Sequence, residues 1–326
     1  MSRLASKTLN KALHIVSPVL NRKCTHDPAR YIGAIEENLL KRTCGQELMV
    51  QELIGYLSTR DKHTEEPLVP SWHGATGIGK TYLTEVLGSQ LAVYRLVTPE
   101  DLTVAHVQDI LERCSYPVIV LEDVDLHPQL VDSIITQYTN DPRSKDRAKR
   151  AVFILTMNLG ASAIQEYTAS DFAVKDMQTN RFATSRHKHL PNLRKAVLRD
   201  IANTDGASMR SFWTQAVERN RIAAYLPFLP LGPAQVACCV RAALEAKVAR
   251  GVDVLLGKDT VRVRVQCDVS ALSAALASMG TVAHYFTTNG LTLSESGCRN
   301  VGVNVEKEVS LVVSRAVRER WRREAA

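Results

Sequence analysis

Apolar and polar residues fall along this chain in blocks of two kinds. Short contiguous apolar runs rich in β-branched residues predict buried strands: "LVPSWHG" at 68–74, "PVIVLEDVD" at 117–125 and "AVFILTMN" at 151–158. Between them, apolar residues recur at helical spacing in "KTYLTEVLGSQLA" (80–92), "AHVQDILERC" (105–114) and "LVDSIITQYT" (130–139). Residues 31–60 are also helical in pattern, with an interruption near "CGQE" at 44–47. "TRDKHTEEP" (59–67) reads as a charged connector and "NDPRSKDRAKR" (140–150) as a polar, basic loop. Strands that alternate with helices and are apolar on both faces predict an α/β class domain, a parallel sheet flanked by helices.

The pattern weakens over 160–210, a polar stretch with no clear period, and changes character from "LPFLPL" (226–231) onward. "PAQVACCVRAALEAKVARG" (233–251) predicts a helix ended by glycine, "TVRVRVQ" (260–266) alternates like a strand, and 269–279 and 298–322 read as helices. The expected organisation is a basic tail at 1–30, a large α/β domain at 31–227, and a smaller, mainly helical lid at 228–326.

Composition narrows this little. The 326 residues are enough for a sizeable core, and the net charge of +7 comes from basic residues scattered along the chain, so a solvated surface is preferred to nucleic-acid binding. No apolar run approaches the ~20 residues of a membrane-spanning helix. The first 26 residues carry Arg3, Lys7, Lys11, Arg22 and Lys23 and no acid, which suits a mitochondrial transit peptide or a disordered basic tail. The seven cysteines include no CxxC pair. Cys238 and Cys239, adjacent in an apolar helical stretch, read as buried free thiols. "HKH" at 187–189 reads as an exposed basic loop in preference to a metal site.

The chemistry concentrates at Gly74, Ala75, Thr76, Gly77, Ile78, Gly79, Lys80 and Thr81, a complete GxxxxGK[ST] phosphate-loop pattern between a predicted strand and a predicted helix. Glycines let backbone N–H groups turn inward on phosphate oxygens, and the helix N-terminus adds favourable partial charge. Lys80 is placed to reach the β- and γ-phosphates of ATP, and the Thr81 hydroxyl to bind Mg²⁺. A phosphate loop also needs acids at the end of a second strand, and "VIVLED" supplies Glu122 and Asp123, in the reverse of the usual Asp-Glu order. Both are candidates for binding metal and activating water; the one-methylene displacement of each carboxylate makes weakened hydrolysis with intact binding a second reading. Asn158, at the tip of the next strand, is the candidate that positions water and senses the γ-phosphate.

With these parts in order the chain resembles the AAA+ ATPases of the Clp superfamily, and most closely the torsins. The resemblance rests on "CGQE", "HGATGIGK" with its leading His-Gly, "LHPQLVDSI", "AVFILTMNLGA", "SFWTQAVERNRIAAYLPFLPL" followed by "CCVRAAL", and "SGCRNV" at 296–301, and spans about 31–310. The spacing of Phe212-Trp213 to Phe228-Leu229-Pro230-Leu231 is the torsin-like feature. The resemblance implies Lys80 and Thr81 as phosphate and Mg²⁺ ligands, Asn158 as first sensor and Arg299 as second sensor. It also places Cys239 and Cys298 on the torsin cysteine pair proposed to couple redox state to nucleotide, against the plain reading of two buried thiols.

Departures leave the function open. Torsins usually carry Asn at the position of Thr81. Without an alignment gap Leu121 replaces the torsin aspartate; with one, Glu122 and Asp123 fill both acidic roles, the preferred reading because leucine cannot bind metal. Arg221, after Asn220, sits where Clp enzymes place an arginine finger, which torsins lack and borrow from a membrane-bound cofactor; an exposed surface arginine is the alternative. "RLVTPEDLTV" (95–104) has no aromatic-glycine pore motif. The reading is a torsin-like ATPase that binds and hydrolyses ATP to remodel a protein partner, assembles with itself into rings or helices, and answers to an activating protein. The alternatives are a Clp-type unfoldase with its own finger and an ATP-binding scaffold with little hydrolysis; a DNA-associated ATPase rests on charge alone. The resemblance implies the lumen of the endoplasmic reticulum and nuclear envelope; the acid-free N-terminus implies mitochondria.

Overall fold

The computed structural model describes residues 24–25, 27–58, 66–179, 181–203, 213, 221–256, 259–263, 268–277 and 282–325. The basic segment up to residue 23, Phe212 and Asn220 lie outside the described residues.

A 3-10 turn at Pro28–Tyr31 leads into α1 (Ile32–Arg42) and α2 (Glu47–Ser58). Then follow β1 (Pro70–His73), α3 (Lys80–Gly88), β2 (Ala92–Leu96), α4 (Val104–Arg113), β3 (Pro117–Leu121), α5 (Pro128–Asn140), α6 (Pro142–Ala148) and β4 (Val152–Met157). After β4 come α7 (Ala161–Thr168), α8 (Val174–Gln178), α9 (Arg186–Ala202) and β5 (Ala224–Pro227). The C-terminal part holds α10 (Pro233–Arg250), the hairpin β6 (Val252–Leu256)–β7 (Asp259–Val263), α11 (Val269–Ala277), the hairpin β8 (Tyr285–Thr288)–β9 (Leu291–Ser294) and α12 (Val301–Ala325).

The five-stranded sheet runs β2-β3-β4-β1-β5, all parallel. The register Val118↔Val152 and Ile119↔Phe153 sends alternate residues to opposite faces, and both faces are buried. On one face Ile119, Leu121, Phe153 and Leu155 pack with Val107 and Ile110 of α4 and Ile134 of α5. On the other, Val118, Val120 and Ile154 pack with Leu83, Val86 and Leu87 of α3. That two-sided burial is why these strands read as continuous apolar runs, and it fixes the ends of β1, β3 and β4 side by side. Val301, Val305 and Val309 of α12 and Val236, Val240 and Leu244 of α10 join the second cluster, so the C-terminal helices extend the core that α3 rests on.

The stretch read as a basic loop contains α6, started by Asp141, whose carboxylate accepts from the Ser144 N–H at 2.8 Å, with Pro142 at the first helical position. The unreadable 160–203 region is three helices; α9 holds His189 buried, bonded through Nε2 to Asp176 (2.8 Å) and through Nδ1 to the Tyr167 hydroxyl (3.0 Å). The "HKH" stretch is therefore helical, with His187 exposed and His189 inside. Among the described residues two hairpins accompany the three C-terminal helices, where the sequence pattern disclosed one strand.

Cys238 and Cys239 are not free thiols. Among the described residues there are three disulfides, Cys24–Cys114, Cys44–Cys238 and Cys239–Cys298. The two neighbours on α10 thus reach opposite ways, one to the loop between α1 and α2 and one to the turn before α12, over Cα separations of 5.9 and 6.2 Å.

Candidate nucleotide site

The site begins where β1 ends. Gly74, Gly77 and Gly79 all have positive φ, and the loop passes directly into α3 at Lys80. Gly77 is the position where glycine is indispensable: its φ is +85° and a Cβ there would run into the backbone of Ser296. The turn before α12 lies against the loop so closely that the Cys298 N–H donates to the Gly77 carbonyl at 2.9 Å.

Gln46 braces the loop from the other side. Its amide donates to the carbonyls of Ile78 (3.2 Å) and Leu229 (2.8 Å) and accepts from the Leu229 N–H (3.0 Å). His73 closes β1, fully buried and against the rings of Trp213 and Tyr225. Burial drives its pKa down to about 4, against the opposing pull of its bond to Leu159, so the ring is neutral at pH 7. The Leu159 carbonyl can only accept, so Nδ1 carries the proton (3.0 Å) and Nε2 accepts from the Ser71 hydroxyl (2.8 Å). That fixes the backbone beside Asn158.

Lys80 is the centre of the arrangement. Its ammonium donates to the carbonyls of Gly74 (2.5 Å) and Ala75 (2.9 Å) and to Asn158 Oδ1 (3.1 Å). Thr76 donates to the same Asn158 oxygen at 3.4 Å. Burial lowers the Lys80 pKa to about 8, with Asp125 and then Asp123 opposing the shift. The loop, Thr81, Asp123, Asn158, Phe228 and Arg299 line one cavity of about 730 Å³. Its walls come from α3, the ends of β3 and β4, the segment after β5, α10 and the turn before α12.

The two acids part company. Asp123 has φ +49°, a left-handed conformation that aspartate tolerates better than most residues, and it lines the cavity. Glu122 does not line it; its carboxylate, 7% exposed, is held by Arg95 through Nε–Oε1 at 2.5 Å and Nη2–Oε2 at 3.0 Å. The extra methylene of glutamate carries it to β2. Of the two acids expected to share the metal, Asp123 lines the cavity and Glu122 is turned to Arg95. Asp125, not singled out from sequence, stands beside them, accepting from the Asn158 N–H at 3.3 Å. Its signal was the spacing "EDVD", which returns an acid to the same strand end.

No protein-family model matches the chain. Among curated proteins it is 24% identical over 301 residues to Torsin-3A of Rattus norvegicus, covering 83% of this chain and 68% of that protein. It is 27% identical over 243 residues to a torsin-like protein of Drosophila melanogaster, covering 67% and 68%, and 22% identical over 317 residues to one of Caenorhabditis elegans, covering 89% and 81%. These relatives are torsins and torsin-like proteins, and the similarity runs over most of this chain. The fold agrees with the AAA+ α/β architecture. The S. cerevisiae Hsp104-ADP complex superposes with a TM-score of 0.53 at 15% identity over 96% of this chain, and Hsp104 with ATPγS and FITC-casein at 0.54, 14% and 94%. This chain spans about half the length of those Hsp104 chains, 52% and 48%.

Two features of this torsin relative answer the open sequence readings. Arg221 is not a surface arginine: its side chain is 2% exposed, and Nη1 donates to Thr136 (2.7 Å) and reaches Asp132 (3.4 Å), both on α5 of its own chain. A finger for a neighbouring subunit would first have to abandon these bonds and its buried seat. Arg221→Ala is expected to destabilise the fold by ~2 kcal/mol, below the usual cost for a buried pair because Asp132 is partly exposed, as a lowered denaturation midpoint checks. The torsin cysteine pair, Cys239 and Cys298, is joined, and both residues line the cavity.

Proposed function

We propose that this chain binds ATP with Mg²⁺ and hydrolyses it to remodel a protein partner, in an assembly of copies of itself. The observation that carries the reading is the convergence of Lys80, Asn158 and Asp123 on one cavity behind a positive-φ glycine loop. The fit to the nucleotide is chemical: a buried ammonium, inward-turning N–H groups and a helix N-terminus suit phosphates. The fit to Mg²⁺ is a set of oxygen donors, the Thr81 hydroxyl and the Asp123 carboxylate. When bound, the metal would neutralise charge on the β- and γ-phosphates.

The chain's own residues would then divide the work. Lys80 would exchange its bonds to Gly74, Ala75 and Asn158 for phosphate oxygens, releasing Asn158 to orient water. Asp123, the acid facing the loop, would take that water's proton. Arg299, from the turn before α12, would report the γ-phosphate to the lid, and the division into a large domain at 31–227 and a lid at 228–326 belongs to this proposal. With Arg221 tied into its own fold, the torsin mode is favoured, in which an activating protein supplies the arginine. "RLVTPEDLTV" gives no support to threading through a pore. Three disulfides fit an oxidising compartment, and so the lumen of the endoplasmic reticulum and nuclear envelope in preference to mitochondria.

Purified protein titrated with ATP and ADP in a calorimeter, and assayed for turnover and mass in solution, tests the reading. Binding of both nucleotides is expected, with slow turnover until a partner is added. Failure of either nucleotide to bind would overturn it; fast turnover by the chain alone would favour a Clp-type mode.

A further inference from the structure

We infer that Asp125 is a positioning residue that aims Asn158 at the γ-phosphate, through the hydrogen bond that its carboxylate accepts from the Asn158 backbone N–H. This deepens the ATP-binding reading and rests on it. The chain does not run straight on from β3. Asp123 takes a left-handed backbone, its carbonyl accepts from the Leu126 N–H at 2.8 Å, and the Val124 carbonyl accepts from the His127 N–H at 3.2 Å. Val124 is fully buried, and its N–H donates to the Thr156 carbonyl of β4 at 3.0 Å. The turn is thus fastened to the end of β4, and it brings Asp125 against Asn158, whose N–H donates to Asp125 Oδ2 at 3.3 Å. Oδ1 of Asp125 is buried with no hydrogen-bond partner among the described residues. A buried carboxylate oxygen without a donor is costly. The Lys80 ammonium compensates it through space: Asp125 pulls on that charge more strongly than Asp123 does.

Asn158 is therefore held at two points. Its side-chain Oδ1 accepts from Lys80 (3.1 Å) and Thr76 (3.4 Å), and its backbone N–H donates to Asp125. The first set faces the cavity and would be given up when Lys80 turns to phosphate oxygens. The second does not compete with a ligand, because Asp125 does not line the cavity. It is the tether that would stay when nucleotide enters. The two residues that follow have anchors of their own. The Leu159 carbonyl accepts from His73 Nδ1 at 3.0 Å, and the Gly160 N–H donates to Asp200 Oδ2 on α9 at 2.9 Å. The turn keeps its course on those two bonds. What Asp125 adds is the orientation of the Asn158 peptide, and with it the direction in which the asparagine side chain leaves the backbone.

The test compares three variants of the full-length chain, all of which lose the charge. Asp125→Asn keeps an oxygen that can accept from the Asn158 N–H. Asp125→Ala and Asp125→Leu do not, and leucine is close to aspartate in size. ATP and ADP affinities are measured by calorimetry without metal, so that no turnover intervenes, with the melting temperature of each variant recorded alongside. The preference for ATP over ADP is expected to be about fivefold lower in Asp125→Ala and Asp125→Leu than in Asp125→Asn, the net worth of one hydrogen bond. The Asn158 amide, followed by hydrogen exchange in nucleotide-free protein, is expected to exchange faster in the same two variants, again by about fivefold. Asp125→Leu carries the comparison if Asp125→Ala fails to fold. A merely structural role would lower the melting temperature and change both nucleotide affinities by one factor. An ATP preference equal in all three variants, whatever their melting temperatures, would overturn the inference. If wild-type protein takes neither ATP nor ADP, the nucleotide reading itself has failed; if it takes both and the three variants show one preference, only the assignment of Asp125 has.

Discussion

Lys80→Ala is expected to weaken ATP binding at least a hundredfold, about 2.7 kcal/mol, with the fold intact. The size of the effect follows from where the ammonium is. It sits among carbonyls of its own loop and the Asn158 side chain, partly desolvated, with a pKa lowered to about 8 by burial. In the proposed reading phosphate oxygens would replace those oxygens, and the ammonium would meet a polyanionic ligand in a site where charge is poorly screened. The fold survives because the side chain packs into no apolar cluster, and α3 is held by Leu83, Val86 and Leu87. Calorimetric titration with ATP, beside an unchanged melting curve, checks the prediction. Wild-type affinity in the variant would remove the phosphate-loop reading.

Asp123→Asn is the second large effect: turnover is expected to fall by ~10²–10⁴, the usual contribution of a positioned base, while ADP binding persists. Asparagine suits the experiment because it tolerates the left-handed backbone at φ +49° as well as aspartate does. The backbone therefore keeps its shape and only the carboxylate is lost. Glu122→Gln is expected to cost much less, since Glu122 faces Arg95 and not the cavity. Single-turnover hydrolysis, with the activating partner present where the chain alone is inert, separates the two. Equal losses for both variants would mean that the acids act together after all. The same geometry gives a physical reason for the reversed order. A glutamate at 123 would have to adopt a left-handed conformation it disfavours.

Gly77 and Gly297 make a related point about contacts. Both have positive φ, and a Cβ on either would collide with backbone of the other turn. Glycine in "GATGIGK" was legible as part of a phosphate loop. That one of its glycines serves to seat the turn before α12, and not a ligand alone, was not.

What could be read from the chain by itself was whatever is set by short-range pattern. β1, β3 and β4 were visible because a strand buried on both faces must be apolar throughout; α3, α4, α5 and α10 because a helix buries one stripe at a fixed period. The glycine loop between β1 and α3 was visible because its pattern is a run of consecutive residues. What only the tertiary structure decided were pairings between residues far apart in sequence. These are Glu122 with Arg95 on the adjoining strand, Arg221 with Thr136 and Asp132 on α5, and Cys238 and Cys239 each with a different distant partner, at separations of 194 and 59 residues. An acid, an arginine or a thiol has the same letter whether it faces a cavity, a neighbour or water. Its role is set by which partner the folded chain brings within a few ångströms, and no local period carries that distance.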